Sequence, residues 1–359
     1  MLSYKITEKK IKIFQQGIYQ WTGTHPRPMP WKGIKDPYKI WISEIILQQT
    51  RVEQGWPFYQ KFILHFPDVE SLARAPLEKV LHVWQGLGYY TRARNLHASA
   101  ASILENKTGG FPDNYEAIKQ LKGVGDYTAA AIASFAFDLP YAVLDGNVHR
   151  ILSRYFGIKE VLQSTRQKKM FQGLANDLLD KRNPAGYNQA IMDFGASCCI
   201  PKNPACTICP LRLTCFARKK KLIAEYPPRK KTAVKKIRHF HFFILIDSKR
   251  KVMIRRRINK DIWNSLYEFP MYESLSSGKP GNAVLKKLFQ KPLHLEHPVL
   301  IQAQTLSHRI VYGYFYVLKS NRLLIDSVSV PIVKLQDYAF PGIIAKNLER
   351  LKASMYKLY

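Results

Sequence analysis

Over the first 215 residues, apolar positions recur every three or four residues and Gly or Pro punctuates the runs, the period of helices that bury one face. The spacing predicts helices over 38–49, 77–85, 91–104, 127–137 and 148–155. Beyond residue 238 the period shortens to that of strands. Segments 240–247 and 252–256 read as a hairpin turning at 248–251, strand character returns over 312–318 and 323–330, and 342–355 reads as a closing helix. Between the two patterns, residues 218–238 hold ten Lys or Arg against one acid, Glu225, with Pro227 and Pro228 in the middle. That stretch reads as a basic linker, solvated or in contact with phosphate. No internal repeat is visible. The expected organisation is a helical region over 1–217, a linker over 218–238 and a strand-rich domain over 239–359.

Charge narrows the class of partner. The chain carries 56 Lys and Arg against 26 Asp and Glu, a formal net charge of +30, and its pI is about 9.9. Such a balance suits a polyanion, because neutralising phosphates releases counterions. With 46% hydrophobic residues in 359, there is enough apolar side chain for roughly two domains. Residues 1–16 are lysine-rich and lack the apolar stretch of a secretory signal, and the apolar run at 242–246 is too short to span a bilayer. Together with free thiols, this predicts a bacterial-type cytoplasm with its nucleoid as the working compartment.

All five cysteines fall in one short segment. Cys199, Cys206, Cys209 and Cys215 form a C-x6-C-x2-C-x5-C tetrad, and nothing elsewhere offers them disulfide partners. Four thiolates suit structural zinc, which is usually held by two C-x2-C pairs. This chain has one close pair, and the uneven spacing favours a [4Fe-4S] cluster, although it matches neither common ferredoxin pattern. Cys198 is expected to be a small buried packing residue. Earlier in the chain, Leu121-Lys122-Gly123-Val124-Gly125-Asp126 sits between two helical segments, where Gly123 and Gly125 let backbone amides approach an anion at a helix start. Asp145, in Leu144-Asp145-Gly146-Asn147-Val148, stands just ahead of a helix, a place that suits an N-cap as well as a catalyst.

Together, the glycine turn, the downstream Asp and the cysteine tetrad resemble the helix-hairpin-helix DNA glycosylases of the endonuclease III superfamily, over most of residues 10–220. Within it, Trp41-Ile42-Ser43-Glu44-Ile45-Ile46-Leu47-Gln48-Gln49-Thr50 resembles the signature of the adenine DNA glycosylase (MutY) family. The resemblance implies a multi-domain fold. An all-α helix-hairpin-helix glycosylase region would hold a [4Fe-4S] module at 199–215, and a C-terminal α+β Nudix-like domain would follow. It also implies a monomeric enzyme of base excision repair that hydrolyses the N-glycosidic bond of adenine mispaired with 8-oxoguanine or guanine in duplex DNA.

By the same resemblance, Glu44 is the general acid and Asp145 the carboxylate that stabilises the positively charged sugar, with Tyr127 and Asn147 orienting the pair. Tyr127 stands where bifunctional relatives carry a lysine nucleophile, which points to a monofunctional enzyme. A bifunctional glycosylase and lyase, or a non-catalytic iron-sulfur DNA-binding protein, are the alternatives. Trp31, Leu47 and Gln189 match positions lining the adenine pocket, and Gln49 and Tyr89 match positions that wedge into the duplex. The stretch from Trp263 to Pro270 resembles the Nudix-like domain, without the Glu-rich box of Nudix hydrolases. Leu306, Ser307 and His308 match the loop that touches 8-oxoguanine, with Leu306 in place of an aromatic residue.

Overall fold

Helix start signals and small residues build the first half of the computed structural model, which describes residues 6–30, 32–106, 110–228, 234–258, 261–290, 295–320, 324 and 326–358. The chain sorts into two units, Met1–Ala73 with Ala98–Lys231, and Arg74–His97 with Thr232–Tyr359. In chain order the helices are α1 (Glu8–Thr24), α2 (Pro37–Leu47), α3 (Val52–His65), α4 (Val69–Arg74), α5 (Leu77–Val83) and α6 (Thr91–Glu105). They continue with α7 (Tyr115–Gln120), α8 (Asp126–Phe137), α9 (Gly146–Phe156), α10 (Thr165–Leu178), α11 (Pro184–Ser197) and α12 (Phe216–Lys219).

All five helices expected from periodicity are present, with ends displaced by one or two residues. Helix α2 begins where Asp36 accepts from the amides of Tyr38 and Lys39, with Pro37 in the first turn. It stops at Leu47, short of the expected 49, and Gln49 lies in the left-handed region at φ 58°. Helix α8 is buried at every position from Thr128 to Ser134, and its run of alanines lets α2 and α11 pack against it. The core around it draws Phe14 and Ile18 from α1, Ile151 and Leu152 from α9, Phe171 and Leu174 from α10, and Phe194 from α11. Each such side chain contributes on the order of 1.5–3 kcal/mol by leaving water.

The start of the expected linker is ordered on this helical unit. Tyr226 is buried and its carbonyl accepts from Arg154 Nε at 3.0 Å, and Lys159 pairs with Glu225 at 2.9 Å. Residues 229–233 lie outside the described set.

The second unit is built on a mixed sheet of β1 (Lys236–Ile246), β2 (Lys251–Arg256), β3 (Tyr267–Glu268), β4 (Met271–Ser274), β5 (Leu300–Thr305), β6 (Arg309–Lys319) and β7 (Val328–Pro331). Its main path runs β3-β2-β1-β6-β5, with β4 pairing β1 and β7 pairing β2. The expected hairpin is present, with Ile246 opposite Val252, but the longest ladder is a parallel one, β1 on β6, from Lys236 opposite Arg309 to Ile246 opposite Lys319. On one face Phe243, Leu245 and Tyr316 pack with Leu285 and Phe289 of α13 (Asn282–Phe289). On the other, Phe242 stacks on Phe315 at 5.0 Å. The closing helix is two pieces, α14 (Gly342–Ala345) and α15 (Leu348–Tyr356); of the strand expected at 323–330, positions 323 and 325 lie outside the described residues, and among the described ones the sheet holds β7.

Residues 74–97 group with this unit rather than with the helices that flank them in sequence. Tyr90 donates to the Phe340 carbonyl at 3.1 Å, Arg94 to that of Asn264 at 2.7 Å, and Glu78 pairs with Arg256 at 2.8 Å. Composition gives no sign of this grouping.

Candidate active site

Asp145 is delivered by a buried amide. The side chain of Asn188, on α11, donates to Ser134 Oγ at 2.9 Å and to the Tyr141 carbonyl at 2.8 Å, and accepts from the Val143 amide at 3.1 Å. This fixes the extended segment that runs into α9. Asp145 is the N-cap of that helix, its Oδ1 accepting from the Val148 amide at 2.7 Å. Its Oδ2 accepts from Asn147 Nδ2 at 2.8 Å, and Arg150 in turn donates to Asn147 Oδ1 at 2.9 Å. Of the alternatives the sequence left open, the cap is the one this geometry displays. Burial raises the Asp145 pKa, against hydrogen bonds from Val148 and Asn147 and the charge of Arg150 that favour the anion.

Glu44 sits in the last turn of α2, among Ile40, Trp41, Ile45 and Ile46, and is only 7% exposed. Burial raises its pKa to about 7, a hydrogen bond from Tyr127 opposes the rise, and the charge of Asp145 adds to it. The Tyr127 hydroxyl is also 3.6 Å from Met192 Sδ, and burial together with the two carboxylates pushes its own pKa well up. Burial thus raises both carboxyl groups, Glu44 to about 7, while Asp145 also takes the hydrogen bonds that favour its anion.

Glu44, Leu47, Tyr127, Asp145, Asn147 and Gln189 all line one cavity of about 610 Å³ in the helical unit. Trp31 lies outside the described residues. Gln49 is exposed at the turn after α2 and does not line the cavity. Gly123, at φ 83°, and Gly125, the N-cap of α8, make the turn between α7 and α8 and also stand apart from it. Tyr89, Leu306, Ser307 and His308 belong to the second unit, where they line a separate cavity of about 400 Å³ with Thr91, Trp263 and Arg309. There the hydroxyls of Tyr89 and Ser307 hydrogen-bond.

Sequence reasoning missed three residues that shape the first cavity or its supports. Arg150 holds Asn147 and also donates to the carbonyls of Cys199 and Gly195, both at 2.7 Å. Met192 and Asp193 line the cavity itself. The signal for Asp193 was a carboxylate four residues after Gln189 on one helix face; for Arg150 no local signal exists. Gly195 explains how α11 comes so close, since a Cβ there would lie 2.6 Å from Asn147 Cβ and 3.2 Å from Ile151. Gly195→Ala is expected to cost about 1–3 kcal/mol by overpacking and to displace Asn147. The check is thermal melting alongside the structure of the variant, with a lower melting temperature and Asn147 moved from its place beside Asp145.

The cysteines close this unit. Cys199, Cys206, Cys209 and Cys215, with Cys198, border one small cavity of about 30 Å³ that Arg154, Arg212 and Arg218 also line, and all five are free thiols. Arg154 anchors the loop, donating to Cys199 Sγ at 3.4 Å and to the Ile200 and Pro201 carbonyls at 2.8 and 3.0 Å. Burial pushes the thiols of Cys199, Cys206 and Cys215 up. Among the described residues, no three His, Cys, Asp or Glu stand close enough as placed to hold a single metal ion. An all-sulfur donor set around one cavity, flanked by arginines, nonetheless fits a multi-iron centre that would ionise those thiols on binding. No described helix is long and apolar enough to cross a membrane.

Residues 42–176 match the HhH-GPD superfamily of base excision DNA repair proteins, and those residues carry both site carboxylates. A solved thermostable thymine-DNA glycosylase is similar at TM-score 0.55 and 31% identity, over 59% of this chain and 98% of that one. An endonuclease III in a trapped covalent DNA complex shares the fold at TM-score 0.52 and 20% identity, over 60% of this chain and 99% of that one. The class is therefore a helix-hairpin-helix DNA glycosylase. More narrowly, the adenine DNA glycosylase of Buchnera aphidicola from Acyrthosiphon pisum is 40% identical over 265 residues, 73% of this chain and 75% of the relative. The human adenine DNA glycosylase is 37% identical over 220 residues, 59% of this chain and 40% of the relative. The chain belongs to the adenine DNA glycosylase family and excises adenine from DNA in base excision repair.

Proposed function

We propose that adenine is removed by a monofunctional, two-carboxylate hydrolysis in the cavity of Glu44 and Asp145. The observation that carries this is the meeting in one cavity of two carboxyl groups, a buried Glu44 that holds its proton to about pH 7 and a capped, hydrogen-bonded Asp145. Adenine inside a duplex is out of reach, so the base is flipped into the pocket, at a cost of a few kcal/mol in unstacking. Glu44 donates its proton to N7, the bond from the sugar to N9 breaks, and the electron pair leaves with the base. Asp145 stabilises the oxocarbenium-like sugar, and water adds to C1′ with Glu44 taking its proton. Asn147, held by Arg150, fixes Asp145; Tyr127 fixes Glu44.

A lyase step needs an amine nucleophile, and position 127 supplies a phenol. Among the described residues, the lysines that line the cavity are both paired, Lys32 with Asp193 of the same wall at 3.3 Å and Lys35 with Asp138 at 2.6 Å. The second unit is assigned the role of a Nudix-like reader of the base opposite adenine, 8-oxoguanine or guanine, through Leu306, Ser307 and His308. Ser307 and His308 keep hydrogen-bonding groups for a base edge, while Leu306 keeps apolar contact without aromatic stacking. Trp31 and Leu47 are assigned to the adenine pocket, Gln49 and Tyr89 to the duplex wedge, and Gly123 and Gly125 to a phosphate. Cys199, Cys206, Cys209 and Cys215 would hold a [4Fe-4S] cluster whose contribution is to order the basic loop 212–221 against DNA. The enzyme is read as a cytoplasmic monomer acting on duplex DNA.

Single-turnover excision on duplexes pairing adenine with 8-oxoguanine, guanine or thymine tests this, with and without alkali. Expected are strand breaks only after alkali, no adduct trapped by borohydride, and rates ordered 8-oxoguanine, guanine, thymine. Alkali-independent breaks with a trapped adduct would install the lyase. Binding without excision would install the non-catalytic alternative, and equal rates opposite all three bases would remove the reader role.

A further inference from the structure

We propose that Asp193 is a positioning residue that fixes which end of the Gln189 amide meets the flipped base, and so makes the cavity select a purine with an amino group at C6. This rests on the reading of the Glu44 cavity as the adenine site. Asp193 is 1% exposed, a carboxylate far too buried to be a surface charge. It stands one turn after Gln189 on α11, and both line the cavity. Gln189 Nε2 donates to Asp193 Oδ1 at 3.1 Å. Two cations hold the carboxylate: Arg27 Nη1 is 3.6 Å from Oδ1 and Lys32 Nζ is 3.3 Å from Oδ2.

A carboxylate whose two oxygens each face a cation presents hydrogen-bond acceptors to its neighbours. The nitrogen end of a neighbouring amide must then turn toward it, as the Gln189 amide does. The carbonyl oxygen of Gln189 is the end left to meet a bound base. Adenine offers a donor there, its N6 amino group. Guanine and hypoxanthine offer the acceptor O6, which would face that carbonyl with both sets of lone pairs unpaired. Sites built around one hydrogen-bond polarity reject the opposite polarity strongly, because a buried polar group is left unsatisfied. Arg27, Lys32, Asp193 and Gln189 thus form a relay that carries charge from the cavity wall into a choice of base.

The test is the Asp193→Asn variant, assayed by single-turnover excision of adenine, hypoxanthine and unsubstituted purine, each opposite 8-oxoguanine. Each rate is read as a ratio to wild type, so the intrinsic lability of each base cancels. The replacement amide can donate as well as accept, so the Gln189 amide is released to turn either way. Expected are an adenine rate about tenfold lower, a purine rate within about twofold of wild type, and an adenine-to-hypoxanthine preference reduced at least about tenfold. Equal loss on all three bases would make Asp193 a structural tether and overturn the proposal, as would an unchanged preference.

Gln189→Met provides a second route should the first variant fold poorly. It must lower the adenine-to-hypoxanthine preference to a similar extent, and adding Asp193→Asn to it must change that preference no further. An unchanged preference in Gln189→Met, or an additive loss in the double variant, overturns the proposal. The Glu44→Gln variant separates this from the underlying reading: wild-type excision that does not depend on Glu44 removes the cavity assignment itself. Excision that depends on Glu44, with an unmoved base preference in Asp193→Asn, removes only the relay.

Discussion

Glu44→Gln is expected to lower single-turnover adenine excision at neutral pH by about 10²–10⁴-fold, the range of a positioned general acid. Glutamine keeps the shape and the partnership with Tyr127 but has no proton to give. The wild-type rate is expected to fall above about pH 7, as burial holds the Glu44 proton to about that point, and the residual rate of the variant is expected to lack that limb.

The same shift links to stability. The folded state binds the Glu44 proton up to about pH 7, whereas the ordinary value is 4.5. Glu44 is therefore neutral and harmless below about 4.5, and stability is lost as pH rises from there to about 7, where the buried carboxylate ionises. The full loss is up to about 3 kcal/mol, at 1.36 kcal/mol per pH unit. Glu44→Gln should melt at the wild-type temperature near pH 4.5 and several degrees above it at pH 8. A variant that keeps its rate within tenfold and its pH limb would move the acid to another group.

Helix α2 was legible because its signals are local: Asp36 and Pro37 at the start, and apolar residues on nearly every position to Leu47. The N-cap geometry of Asp145 was legible for the same reason. What was not legible depends on residues far apart in the chain. Asn188 holds a segment 45 and 47 residues earlier, and Arg150 reaches the Cys199 carbonyl 49 residues on. The grouping of Arg74–His97 with the second unit follows from contacts such as Tyr90 with Phe340, across 250 residues. Periodicity reports which face of an element is apolar and not what covers it.

In the sheet, β6 was seen because Tyr, Phe and Val alternate across it, whereas β5 was missed because Gln302 and Gln304 dilute its apolar side. The two glycines of the hairpin turn also differ in kind. Gly123 is required by its positive φ of 83°, while Gly125 lies at −99°, accessible to any residue. The close approach a glycine permits, as at Gly195 against Asn147, carries no local signature at all.

Asp145→Asn is expected to reduce excision by at least about 10²–10³-fold, the cost of removing one preorganised electrostatic partner from a developing charge, while leaving the fold intact. Both functions of Asp145 pass through its side-chain oxygens, which makes the choice of replacement decisive. An asparagine Oδ1 still accepts from the Val148 amide, so the cap of α9 survives. The negative charge assigned to the sugar is gone. Asp145→Ala should lose the same charge and the cap as well, about 1 kcal/mol of stability. The pair of variants therefore separates chemistry from folding, with similar rates and different melting temperatures. DNA affinity should hold or tighten in Asp145→Asn, since a negative charge has been removed from a site that receives a phosphate-bearing chain. An Asp145→Asn enzyme within tenfold of the wild-type rate would reduce Asp145 to a helix cap and leave Glu44 to act alone. An enzyme that binds its duplex and releases no adenine, with α9 intact, would place the stabilising charge on this carboxylate.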